Sequence, residues 1–323
     1  MLRINWETVK KVATRDAYGQ TLVELGRDKD DLVVLDADLS KSTKTAGFAK
    51  AFPERFFNLG IAEQNLLGFS AGLAAAGKTP FASTFAVFAT GRAFEQIRNS
   101  IAYPRLNVKI AATHAGLTVG EDGASHQAIE DLALMRALPQ MTVLVPADAK
   151  ETEQVIRTAA EYYGPVYIRM GRSAVPVLFD SNYRFEIGKA NILREGEDVT
   201  ILALGLMVAE ALKAAETLEE RGIQAAVINC ASLKPLDKET ILSFAKKTRA
   251  MVTAEEHSII GGLGSAVAEL LGENFPTPLY RIGIRDTFGE SGRPEELLLK
   301  YGLTAADIVQ GVEKVLASKK EYF

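Results

Sequence analysis

Residues 108–138 read VKIAATHAGLTVGEDGASHQAIEDLALMRAL. Residues 108–113 form a short apolar run. Residues 113–126 are Gly-rich and polar and hold His114 and His126, and residues 127–138 carry apolar side chains at helical spacing. A buried strand, a polar loop and then a helix make up the repeating unit of a parallel α/β sheet. In such sheets ligands sit in the loops that follow the strands.

The same unit recurs on both sides. Strands are predicted at 32–35, 80–85, 142–145 and 165–169, and in a second series at 199–204, 224–228, 250–254 and 279–284. Helical periodicity marks 209–221 and 238–246 between them. The expected fold is α/β, with two domains that each contain a mainly parallel sheet flanked by helices. Residues 173–189 contain Pro176 and an Asp180-Ser-Asn182 turn signal and lack helical period, so they read as a linker. This places domains at 1–180 and 181–323. No repeat of 20–50 residues or low-complexity tract is evident.

The 323-residue length suits two domains. A net charge of −4 offers no basic footprint for nucleic acid. No apolar run approaches the length of a membrane span, and the opening MLRINWETVKK has no apolar signal core. The single cysteine, Cys230, rules out a disulfide framework and a cysteine-cluster metal site, and it fits a reducing cytoplasm.

Several residues could carry chemistry. Residues 62–77 (AEQNLLGFSAGLAAAG) predict a helix apolar almost all round and therefore buried, with small residues that admit a close backbone. Its one formal charge, Glu63, needs a partner or a proton. Burial would raise the proton affinity of this carboxyl, and a helix N-terminus would lower it. His114, His126, Glu121 and Asp122 share one loop. That set suits a metal, a polyol or a phosphate, or simply a polar loop with solvated histidines. Phe85 and Phe88 follow a strand three residues apart, for which core packing is the plainer reading. Gly261-Gly-Leu-Gly264 lacks the full dinucleotide spacing. Arg15, Ser42 and Arg172 are isolated polar residues near element ends. Glu255-Glu256-His257 reads as a polar loop ending a strand.

Taken in order, these segments resemble the pyrimidine-binding and C-terminal domains of transketolase over nearly the whole chain. The segments concerned are Ala13-Thr-Arg15, Leu35-Asp-Ala-Asp38 through Ser42, Gly60-Ile-Ala-Glu-Gln-Asn65, Ser83-Thr-Phe-Ala-Val-Phe88, Thr113-His114 with Gly120-Glu-Asp-Gly123 and His126, and Arg169-Met-Gly-Arg172. The resemblance implies thiamine diphosphate as cofactor, with Glu63 as the catalytic glutamate on the ring nitrogen of its aminopyrimidine. Phe85, Phe88 and His126 would hold that ring. Arg15, Ser42, His114, Asp122 and Arg172 would bind a sugar phosphate. The implied reaction moves a two-carbon ketol unit from a ketose phosphate to an aldose phosphate, as in the pentose phosphate pathway.

Two departures accompany the resemblance. Gly91 stands where some transketolases carry a third aromatic, and Arg92-Ala-Phe94-Glu-Gln96 is closer to animal transketolases and deoxyxylulose-phosphate synthases. The G-D-G motif that holds magnesium and diphosphate elsewhere in the family is absent. An N-terminal partner subunit is therefore expected to supply Mg2+ and the diphosphate site, with two copies of each chain. The start of the chain at the pyrimidine domain also suggests a natural split.

The alternatives are the beta subunit of a 2-oxo acid dehydrogenase, which would not need the paired arginines or the His114/Asp122/His126 loop, and a deoxyxylulose-phosphate-synthase-like enzyme, which lacks the Thr-His pair. A regulatory subunit that kept the fold would not need Glu63. A metal hydrolase on His114, Asp122 and His126 lacks a third clear ligand.

Overall fold

The computed structural model describes residues 4–322. Up to residue 180 its strands are β1 (Lys11–Ala13), β2 (Leu32–Asp36), β3 (Phe56–Asn58), β4 (Thr79–Phe85), β5 (Lys109–Thr113), β6 (Thr142–Leu144), β7 (Val166–Arg169) and β8 (Ala174–Pro176). β9 (Asn191–Arg194), β10 (Val199–Ala203), β11 (Ala225–Asn229), β12 (Ser232–Lys234), β13 (Met251–Ser258) and β14 (Leu279–Ile284) follow.

The larger sheet has the order β12-β6-β7-β5-β4-β2-β3 and is parallel except for β12. The smaller has the order β14-β13-β10-β11-β9 and is parallel except for β9. The fold is the expected α/β, with mainly parallel sheets flanked by helices. Alternation along the strands builds two cores on the larger sheet. Leu32, Val34, Phe81, Val166 and Ile168 face the helices Thr14–Asp28 and Ala149–Glu161. Val33, Leu35, Ala82, Ile110 and Tyr167 face the opposite layer, which includes Leu66 and Leu67 of the helix Glu63–Ala75. β12 crosses from the second half of the chain to pair with β6, so the two sheets are tied together.

All nine predicted strands are present. The five that were not foreseen have three or four residues and lie at sheet edges or in the β1–β8 ribbon. One of them, β8, falls within the segment read as a linker.

The helix Glu63–Ala75 departs from expectation, because it is buried on one side only. Phe69 is 41% exposed and the preceding Ile61 78% exposed. Cβ atoms added at Gly68 or Gly72 would meet nothing within 4 Å. The helix is apolar all round because its second flank also lacks charge, and within the chain that flank faces open space. Among the described residues no helix is long and apolar enough to cross a membrane.

Candidate active site

The parallel strands set the site. β2, β4, β5 and β7 are adjacent, and their C-terminal ends lead into the segments that hold Ser42, Phe88, His114 and Arg172. The ribbon completes the arrangement. β1 and β8 pair antiparallel with Ala13 opposite Ala174, so Arg15 and Arg172 leave the same end of the ribbon. A hydrogen bond from Gly171 N–H to Thr14 Oγ1 (3.1 Å) fastens that end. The two guanidiniums are close enough that Arg172 lowers the proton affinity of Arg15, after the larger effect of burial.

Arg15 donates to the Ser42 carbonyl (2.9 Å) and lies 3.2 Å from His114 Nε2. Ser42 is held there by buried Asp36, which accepts from Leu39 N–H (2.6 Å), Thr43 Oγ1 (2.6 Å) and Thr45 Oγ1 (2.9 Å). Ser42 therefore contributes its backbone carbonyl to the arginine. The Nε atom of Arg15 is buried and has no hydrogen-bond partner among the described residues. Arg172 donates to the Val119 carbonyl and to Glu121 Oε2 (3.1 Å).

His114 joins this cationic end to an aromatic one. Arginine can only donate, so Nε2 accepts, and Nδ1 carries the proton toward Thr113 Oγ1 at 2.9 Å. The ring stacks on Phe85 with centroids 3.8 Å apart. Phe85 and Phe88 lie nearly parallel at 5.9 Å, and the edge of His126 meets Phe88 at 5.4 Å. Burial, with Arg15 and Arg172 nearby, pushes the His114 pKa down from 6.5 to about 3. His114 is thus neutral near pH 7 and acts as a hydrogen-bonding group.

The sign of that shift predicts a pH dependence. Between pH 3 and 6.5 the unfolded imidazole binds a proton that the folded one refuses, so this contribution to stability is full above about 6.5 and is lost on acidification. Glu151 and Glu256, raised by burial to about 7, act in the opposite sense, so a variant comparison is needed to isolate the histidine. The stability gap between wild type and His114→Gln in urea should narrow by about 3 kcal/mol from pH 7.5 to pH 4. A gap independent of pH would contradict the buried neutral imidazole.

Glu63 sits at the first residue of its helix, 1% exposed. Its Oε2 accepts from Arg92 Nη1 at 2.8 Å, and the Arg92 guanidinium lies 4.7 Å from the centroid of Phe88. One arginine therefore connects the carboxylate to the aromatic pair. Arg92 was read from the sequence only as a family variation. Its ion pair spans 29 residues and leaves no local signal. Asp122 is exposed at the loop tip and has no side-chain partner among the described residues, so no contact draws it into the cluster. The other eight predicted site residues are linked to one another by contacts or by shared strand ends.

The segment 255–257 is corrected. It lies inside β13 rather than in a loop, and all three side chains are buried. Glu255 accepts from Leu263 N–H (2.7 Å) and Gly264 N–H (2.8 Å), so the glycine-rich helix start is filled by the chain's own carboxylate. Glu256 accepts from Thr118 N–H at 2.6 Å.

A planar aminopyrimidine suits an aromatic bed with a carboxylate nearby; Phe85, Phe88 and His126 pack together, and Glu63 is joined to Phe88 through Arg92. A diphosphate with its metal requires several oxygen ligands, and no cluster of three or more metal-ligating side chains is found among the described residues.

Residues 10–177 match the transketolase pyrimidine-binding domain, and residues 188–308 match the transketolase C-terminal domain. A Methanocaldococcus jannaschii protein provisionally described as a transketolase C-terminal section is 56% identical over 95% of this chain and 96% of its own length. A 6-deoxy-6-sulfo-D-fructose transketolase subunit from a Clostridium species is 46% identical over 94% of this chain and 95% of its own. A solved split-gene transketolase, described as an inactive β4 tetramer, superposes with a TM-score of 0.90 at 64% identity, covering 95% of this chain and 99% of that one.

Proposed function

The chain belongs to the thiamine-diphosphate-dependent transketolase family, and from that premise we propose that it is the C-terminal subunit of a split transketolase, active only with an N-terminal partner. The observation that carries the reading is one unbroken chain of contacts. Glu63 reaches Phe88 through Arg92, Phe88 packs with Phe85 and His126, and Phe85 stacks on His114, which lies against Arg15; this suits a pyrimidine seat beside the Arg15–Arg172 pair. Two arginines at one end suit a phosphate, whose oxygens match the guanidinium fork. A 2-oxo acid has no phosphate to use them.

When bound, thiamine diphosphate supplies a nucleophilic carbon and an electron sink for carbon–carbon cleavage. The chain's own residues then have distinct tasks. Glu63, held away from water, shares a proton with the ring nitrogen of the pyrimidine. Phe88 and His126 fix the plane of that ring, with Phe85 behind them. His114 donates or accepts a hydrogen bond without adding charge. Arg15 and Arg172 grip the substrate phosphate, and that remote binding orients the reacting carbons. Asp122, exposed at the loop tip, accepts from a substrate hydroxyl.

Mg2+ and its ligands come from the partner, consistent with the absence of G-D-G in this sequence. The inactive β4 assembly described for the solved relative supports the same dependence. We assign two copies of each chain, a cytoplasmic setting and a pentose-phosphate role, with the domain division near residue 180. The uncovered flank of the helix Glu63–Ala75 is apolar and small-residued, which suits burial in that assembly.

The test is reconstitution. This chain, its partner, thiamine diphosphate and magnesium should convert xylulose 5-phosphate and ribose 5-phosphate to sedoheptulose 7-phosphate, and omission of the partner should abolish the product. A complete mixture that decarboxylates pyruvate and ignores both sugars would favour the oxo acid reading.

A further inference from the structure

The loop of residues 116–126, with Gln127 at its end, does not take its shape from its own sheet alone. Thr118 N–H donates to Glu256 Oε1 in β13 at 2.6 Å. Gln127 Nε2 donates to the Glu290 carbonyl at 2.9 Å, and Ser291 Oγ donates to the Glu121 carbonyl at 2.6 Å. All three outside partners lie in the second half of the chain. The glycines show how close the fit is. Gly116 has φ +82°, and a Cβ there would lie 2.3 Å from Glu256 Cδ. A Cβ at Gly120 would lie 3.3 Å from Pro294.

We propose that Glu256 is a positioning residue for the phosphate end of the site, through which the C-terminal unit sets substrate recognition. The inference rests on the transketolase reading above. The route is short. Glu256 fixes the Thr118 backbone, and the next residue, Val119, offers the carbonyl that holds Arg172. The same turn presents Glu121, the second partner of Arg172, beside Asp122. Ser173, next to Arg172, donates to the Thr118 carbonyl at 3.3 Å. Moving Thr118 therefore moves the groups that aim Arg172.

A carboxylate in the middle of a buried strand is costly to desolvate. An apolar residue would serve β13 better if packing were all that mattered. The Glu256 main-chain carbonyl accepts from Arg169 at 2.9 Å, while its side chain accepts from Thr118 N–H in the loop.

The experiment compares wild type, Glu256→Ala and Glu256→Gln as full chains reconstituted with the partner, thiamine diphosphate and magnesium. Glu256→Ala should raise KM for ribose 5-phosphate roughly 5- to 100-fold, the effect of one orphaned buried N–H. KM for unphosphorylated ribose should change little. Glu256→Gln, whose amide oxygen still accepts from Thr118, should recover most of the loss. Hydrogen exchange on the full chain without partner gives a second readout. Peptides covering 116–126 should exchange faster in Glu256→Ala, while β10 and β11 keep their protection. An unchanged KM in an active complex would overturn the proposal, as would equal loosening of the loop and the whole second sheet. An inactive wild-type complex would instead remove the transketolase reading, and exchange would then decide the loop claim alone.

Discussion

Replacing Glu63 with alanine should lower ketol transfer by the reconstituted enzyme about 10²- to 10⁴-fold, the usual loss when one positioned proton-transfer group is removed. The argument is geometric. Glu63 is tied to the aromatic pair through Arg92, and it is 1% exposed. Its only partner among the described side chains is Arg92. The helix start holds it at fixed depth, and Leu66 and Leu67 close the space behind it. Alanine should leave the fold intact, because the helix keeps its buried apolar side. It would also free Arg92, which is 50% exposed and remains solvated. The measurement is kcat for sedoheptulose 7-phosphate formation, with thermal unfolding as the control for folding. Residual activity within about threefold of wild type would remove Glu63 from the proton path.

Replacing Arg169 with leucine should cost about 3–5 kcal/mol of stability, the usual result of leaving one charge of a buried pair alone. Arg169 is 5% exposed and Asp131 fully buried, with Nε to Oδ2 at 2.9 Å. Tyr167 donates to the same carboxylate oxygen at 2.7 Å. Asp131 Oδ1 has no hydrogen-bond partner among the described residues, with His257 Nε2 4.0 Å away, so loss of the arginine would leave a buried carboxylate with one hydrogen bond, from Tyr167. Arg169 also donates to the Ala128 carbonyl (3.3 Å) and the Glu256 carbonyl (2.9 Å), which stitch the loop's return path to β13. A second change in the same chain, Asp131→Leu, should recover much of the loss, because the stranded charge is then gone. Urea unfolding of the single and double variants reads both effects. A single variant within about 1 kcal/mol of wild type would mean that the pair compensates nothing.

The contrast between these two residues shows what the sequence made legible. Glu63 stood out because it was the only charge in an apolar helix, an anomaly within one element. Arg169 looked like part of a phosphate motif with Arg172, yet one arginine is buried on Asp131 and the other reaches the surface loop. Only Met170 and Gly171 separate them, past the end of β7, and only the fold tells which way each points. The central strands were readable because burial on both faces gives unbroken apolar runs. β1 and β8 were not, being three residues each, and they are the elements that bring Arg15 and Arg172 together. Glu255-Glu256-His257 was misread for a related reason. Consecutive polar residues ordinarily signal a surface, but here their partners are a helix N-terminus and the Thr118 amide, which lie far away or in a later element. The exposed flank of the helix Glu63–Ala75 was misjudged because it carries apolar and small residues, the composition of a core, while facing open space within the chain.

The composite nature of the site is tested most directly by calorimetric titration of thiamine diphosphate, with magnesium present, into this chain, into the partner and into an equimolar mixture. The account predicts saturable binding near one cofactor per pair of chains in the mixture, and at least tenfold weaker binding by this chain alone. Binding of equal affinity by this chain alone would mean that it carries its own diphosphate site, and the split-site account would fall.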